Sequence, residues 1–203
     1  MKKIFILDLD GTLYYQFPVR MMMVIELCFY YLFHLSNLKE LRILLAYRKA
    51  HENIVFDLNQ FAKKYSCSPE KIQKIVQYWM QERPLKWISF FADKKLISLL
   101  RNERTFVFSD YPTQRKLKAL NFMPEGQFFY GDGNIRFMKP HPQGLSIIES
   151  KYHLDKKDMI FIGDRFEKDG LCAQNFGCTC ILLNSFPFFR YFQYKRIKNA
   201  IKS

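Results

Sequence analysis

Ile4-Phe5-Ile6-Leu7-Asp8-Leu9-Asp10-Gly11-Thr12-Leu13 is the stretch whose reading decides the fold. A short run rich in Ile and Phe, bounded by Gly, reads as a buried strand. Side chains alternate along a strand, so Asp8 and Asp10 project to one side if it continues regularly. Gly11 lets the chain turn sharply beyond them. Two carboxylates where a buried strand meets solvent suit a hard cation such as Mg²⁺. The same residues also fit a plain strand ending in an Asp-Gly turn, so the rest of the chain must decide.

Downstream, the pattern changes at about residue 18 and stays helical to about 87. Met22, Ile25, Phe29, Leu32 and Phe33 recur at three- and four-residue steps, and Leu38, Leu41, Leu44 and Leu45 continue them. Val55 to Tyr65 is a third helical candidate. Ser68-Pro69-Glu70 starts a fourth, with Ser as N-cap and Pro at the first helical position, and its apolar face uses Ile72, Ile75, Val76 and Trp79. Arg83-Pro84 is expected to end that block.

Beyond it, short apolar runs alternate with helical ones. Thr105 to Phe108, Gln127 to Tyr130, Asp158 to Ile162 and Thr179 to Leu183 read as strands, and helices are expected from Asp110, after Pro142 and from Lys168. Strands alternating with helices imply parallel βαβ units in a doubly wound sheet. Residues 18–87 fit no such alternation and read as a helical insertion, dividing the chain into 1–17 with 88–203 and the inserted 18–87.

Composition narrows the class. The 203 residues are 49% hydrophobic and 25% charged, which is globular rather than disordered. No run reaches the roughly 18 apolar residues of a membrane span. Met1-Lys2-Lys3 resembles a signal-peptide start, but Asp8 and Asp10 interrupt the apolar stretch that should follow. The five Cys are irregularly spaced, as expected of reduced thiols in the cytoplasm. Cys178 and Cys180 lack a second pair or a nearby His, so alternate places in an apolar strand explain them better than a metal does.

The net charge of +13 favours an anionic partner. From Phe186 to Ser203 five cations and six aromatics occur without an acid. Such a tail is expected to dock its aromatics on the domain and leave its charges solvated. The alternative is contact with an anionic membrane surface, peripherally, or with nucleic acid.

The polar residues of interest fall where strands end: Asp8 and Asp10, Ser109, and Asp164. Ligands of open α/β sheets bind at that edge. Ser109, with the amides of Asp110 and Tyr111 at an expected helix start, suits an anion, and would equally serve as an N-cap. Lys139, held extended before Pro140, can neutralise a phosphoryl group or be an ordinary surface lysine. Asp164 can complete a cation site; Asp169 in a first helical turn can simply cap it.

Asp8-Leu9-Asp10-Gly11-Thr12, Ser109, Lys139 and Gly163-Asp164-Arg165-Phe166-Glu167-Lys168-Asp169, in that order, resemble the four motifs of the haloacid dehalogenase superfamily. The resemblance covers residues 4 to about 184. It implies an α/β fold, with a Rossmann-like parallel sheet as core and residues 18–87 as an inserted all-α cap domain. It also implies a Mg²⁺-dependent phosphatase of a small phosphorylated metabolite. Asp8 would be the nucleophile and Asp10 the general acid and base. Mg²⁺ would be held by Asp8, the Asp10 carbonyl and Asp164. Ser109, Asp110 and Lys139 would bind phosphate; Asp169 would orient Lys139, and Thr12 would bond near Asp10. Asp110 departs from the family's frequent Asn, and an extra carboxylate there helps only if it points away from the phosphate. The dehalogenase members differ at position 10. A phosphotransferase or phosphomutase on the same fold is the alternative chemistry, and a basic nucleic-acid or membrane-binding module the non-catalytic one.

Overall fold

The computed structural model describes residues 3–51, 57–133 and 135–202. Five strands form one parallel sheet: β1 (Ile4–Leu7), β2 (Arg104–Ser109), β3 (Gly126–Phe129), β4 (Met159–Gly163) and β5 (Thr179–Leu182). Their order is β3-β2-β1-β4-β5. Leu7 pairs with Val107 on one side and with Ile162 on the other. The three central strands are buried almost throughout because helices cover both faces of a parallel sheet. On one face Ile4, Ile6, Phe106, Phe108 and Phe161 pack together. Leu145 and Ile148 of one helix and Cys172 and Phe176 of another complete that layer. Fully burying such a side chain stabilises by about 1.5–3 kcal/mol.

The chain divides into two compact units, Met1–Pro18 with Ile88–Ser203, and Val19–Trp87. The second is all-helical: α1 (Gln16–Phe33) enters it, α2 (Leu38–His51), α3 (Leu58–Lys64) and α4 (Pro69–Val76) follow, and α5 (Arg83–Phe90) leaves it. Two apolar clusters hold it, one around Ile43, Phe61 and Ile72, the other around Tyr31, Leu44, Ile75 and Trp79. Ser68 Oγ accepts from the Lys71 amide at 3.2 Å, so α4 begins where the Ser-Pro-Glu pattern predicts. Arg83-Pro84 does not end the helical block. A π-helical stretch, Gln77–Glu82, runs straight into α5. Pro84 lies inside this continuous helical run, where it supplies no N–H to the preceding turn. Of the third helical candidate, Val55 and Phe56 lie outside the described residues.

In the first unit α6 (Lys94–Leu100), α7 (Gln114–Ala119), α8 (Gln143–Tyr152), α9 (Leu171–Phe176) and α10 (Tyr191–Lys202) flank the sheet. The helix expected from Asp110 starts four residues later, at Gln114, so Ser109 does not stand at a helix N-terminus. Cys172, Cys178 and Cys180 are free thiols in or against the core. Burial pushes them up to about 12, 11 and 12 respectively, which keeps them unreactive. No single helix among the described residues is long and apolar enough to cross a membrane.

Candidate active site

The order β3-β2-β1-β4-β5 puts a switch point at β1 and β4, where crossovers leave in opposite directions and a crevice opens at the strands' carboxyl ends. Asp8 follows β1 directly, Ser109 ends β2, and Asp164 follows β4. Residues far apart in sequence therefore share one edge.

Asp8 is buried, and both of its oxygens are engaged. Oδ1 accepts from Lys139 Nζ. Oδ2 accepts from the Thr12 hydroxyl at 3.3 Å. Thr12 thus bonds to Asp8, not to Asp10 as the resemblance implied. Lys139 Nζ also donates to Asp169 Oδ1 at 2.7 Å. The other Asp169 oxygen accepts from the amides of Asp164 and Arg165, at 3.2 and 3.1 Å. One buried carboxylate thereby orients Lys139 and fixes the loop that carries Asp164.

Two glycines make this approach physically allowed. Gly11 has φ +94°, and a Cβ there would land on the Asp164 carboxylate. A Cβ at Gly163 would collide with the Asp169 side chain. No other residue fits either place.

Asp8, Asp164 and Asp169 present carboxylate oxygens that all lie within 4.8 Å of one another. Asp164 Oδ1 is buried without a hydrogen-bond partner. Three carboxylates, one orphaned oxygen and a single buried ammonium suit a hard divalent cation such as Mg²⁺. The Asp10 carboxylate is not in this group. Burial pushes the Asp8 carboxyl up to about 7; Lys139 opposes this, and Asp169 and Asp10 add to it as like charges. Burial raises Asp164 as well, with Asp169 reinforcing it. A cation among these groups reverses the sign and favours the ionised forms. Burial pulls the Lys139 ammonium down, and Asp8 and Asp169 more than offset it, so it stays charged.

Asp10 is placed differently. Its Oδ1 accepts from the Tyr14 hydroxyl at 2.6 Å, and Lys116 Nζ reaches both oxygens at 2.6 and 2.8 Å. The nearest charge to Asp10 is therefore a cation. Lys116 lies on α7, and nothing in the run Arg115-Lys116-Leu117-Lys118 marks it over its neighbours.

Ser109 is buried, and its Oγ accepts from the Tyr111 amide at 3.2 Å. That amide is therefore not free for an anion. Asp110 points its carboxylate elsewhere: Oδ2 accepts from Lys168 Nζ at 2.6 Å and Oδ1 from the Lys139 amide at 3.0 Å. Its extra charge is neutralised, and it ties the β2 loop to the segments carrying Lys139 and Asp169.

The family model described as HAD-hydrolase-like matches residues 137–185. A search of the curated proteins finds no match. Among solved structures, a 2-haloacid dehalogenase from Pseudomonas syringae pv. tomato is 17% identical, with TM-score 0.62 over 90% of this chain and 86% of that one. A HAD phosphatase from Thermococcus onnurineus is 18% identical, with TM-score 0.51 over 90% and 86%. A Bacillus subtilis protein assigned as a HAD-hydrolase, bound to magnesium, is 15% identical, with TM-score 0.57 over the same shares. At such identities the structures speak for the fold. The family model matches the segment that carries Lys139 and Asp164.

Proposed function

We propose that the protein is a Mg²⁺-dependent phosphomonoesterase acting through a phosphoryl-aspartate on Asp8. The observation that carries this reading is the Asp8 carboxylate, held by Lys139 and Thr12 beside the orphaned oxygen of Asp164. Asp8 and Asp164, with the Asp10 carbonyl, would hold Mg²⁺, which offsets the negative charge of a phosphate dianion facing a carboxylate.

The remaining steps belong to the chain. Asp8 attacks phosphorus, and the bond from phosphorus to the ester oxygen breaks. A proton from Asp10 goes to that leaving oxygen. Water then attacks the phosphoryl-aspartate, Asp10 takes its proton, and phosphate leaves with Asp8 regenerated. Lys139 has three donors and spends two on Asp8 and Asp169, so one is available to a phosphoryl oxygen. Ser109 Oγ accepts from Tyr111, which leaves its O–H to donate to another. Lys116 and Tyr14 position the Asp10 carboxyl by donating to it, as suits the step in which it takes water's proton; when Asp10 carries the proton, the Lys116 contact to Oδ2 gives way. Position 10 also argues for phosphoester chemistry over dehalogenation, because displacing a halide requires no acid. By its place in the chain the helical unit is the cap of the family.

Phosphate release measured over sugar phosphates, nucleotides and lipid phosphates, with and without Mg²⁺, tests the reading. Release that requires Mg²⁺ supports it. Transfer to an acceptor hydroxyl with little free phosphate would favour a phosphotransferase, and halide release from 2-haloacids would overturn it.

A further inference from the structure

The last segment reverses the arrangement expected of a basic aromatic tail. One 3-10 turn, Pro187–Arg190, leads into α10. The cation at its centre, Arg190, is 0% exposed, while Phe186, Phe188, Phe189, Tyr191 and Phe192 face solvent, Phe188 at 87% and Phe192 at 75%.

A loosely attached end does not explain this. Arg190 donates to the carbonyls of Asn184 and Thr12 at 2.7 and 2.9 Å, to Asp93 Oδ2 at 2.7 Å, and to the Gly11 carbonyl. The Tyr194 hydroxyl donates to the same Asp93 oxygen at 2.6 Å, and Ile197 is buried. The rotation of α10 is fixed, with Tyr194 and Ile197 inward. Its outward side then carries Lys195, Arg196, Lys198 and Lys202, all exposed.

The aromatics gather at the start of the segment and the cations at its end, and residues 186–203 contain no acid. Strands of nucleic acid are gripped by aromatics interleaved with cations along a groove. An apolar tip that grades into a basic face is instead how a peripheral anchor meets a bilayer, rings at the acyl boundary and ammonium groups among the headgroups. Four of the five exposed rings are Phe, with no polar atom for water, and the whole chain carries +13.

We propose that residues 186–202 form a docking surface for an anionic lipid bilayer, with Phe186–Phe192 entering the interface and Lys195–Lys202 lying on acidic headgroups. The proposal is independent of the chemistry at Asp8.

Vesicle flotation of the full chain tests it, using phosphatidylcholine alone and phosphatidylcholine mixed with phosphatidylglycerol. The wild type is expected to float with the anionic vesicles and to be released by salt. Lys195→Glu/Lys198→Glu should weaken binding at least about tenfold, since one cation near such a surface contributes roughly a fivefold effect. Phe188→Ser/Phe192→Ser should weaken it comparably. All four side chains are exposed, so both variants should melt as the wild type does. The proposal is overturned by a wild type that floats with neither vesicle, or by variants that float undiminished. It is equally overturned if the segment binds single-stranded RNA in preference to anionic vesicles, or forms a dimer that the Phe variant dissolves.

Discussion

Two buried ionic networks flank the loop after β1, and they differ in one respect. Around Arg190 the accounts balance. One guanidinium meets one carboxylate and three carbonyls, and both Asp93 oxygens are used, Oδ1 capping α6 through the Leu96 amide at 2.9 Å. Around Asp8 they do not. Three carboxylates face one buried ammonium, and the exposed Arg165 guanidinium only approaches Asp164 Oδ1, at 3.8 Å, so negative charge is left over and that oxygen has no hydrogen bond. A balanced network reads as structure, and a network short of positive charge reads as a place where something binds. The contrast separates residues that hold the loop from residues that use it.

That contrast can be broken in several ways. Asp8→Asn should lower phosphate release by at least about a thousandfold, because nucleophile loss is not compensated elsewhere, while leaving the thermal melt near that of the wild type. Arg190→Ala should do the opposite in kind: it strands Asp93 in the core and should cost about 3–5 kcal/mol in chemical denaturation. Activity per folded molecule would fall only as far as the Gly11–Thr12 backbone relaxes. Mg²⁺ at about a hundred times its dissociation constant should stabilise the wild type by about 2.7 kcal/mol; in Asp164→Asn the shift should shrink or vanish, and in Lys151→Ala, an exposed cation outside the carboxylate cluster, it should persist. The smallest expected effect is at Lys116. Lys116→Ala should reduce turnover of an alkyl phosphate about tenfold, and that of p-nitrophenyl phosphate less, because a good leaving group needs little help from an acid. Equal losses on both substrates would mean that Lys116 does not act through Asp10.

Part of this contrast is written in the residues themselves. β1, β2 and β4 were legible because each is a short apolar run ending in a polar residue, and the alternation of strands with helices implied the parallel sheet. Asp8 and Asp164 could be singled out because they lie at strand ends, Lys139 and Asp169 through the motifs that carry them, and the structure brings the charged groups of all four together. The partners of Asp10 were not legible. Nothing in the sequence marks Tyr14 as a partner of Asp10, and Lys116 is one of three cations in a helix whose rotation no local pattern fixes. Arg190 was hidden for a related reason. In a run of cations a solvated side chain is the ordinary expectation, and the carbonyls of Gly11 and Thr12 that satisfy it lie some 180 residues away in the chain. The start of α7 was misplaced because Ser109-Asp110 carries the residue types of an N-cap, whereas Asp110 is drawn off by Lys168 and the Lys139 amide.

The central claim is that Asp8 becomes covalently phosphorylated. Acid quenching during turnover of a phosphomonoester with Mg²⁺, followed by peptide mass mapping, tests it most directly. The account predicts one added phosphoryl group on the peptide containing Asp8, absent without Mg²⁺ and absent in Asp8→Asn. Steady phosphate release with the label on another residue, or a fully active Asp8→Asn enzyme, would contradict it.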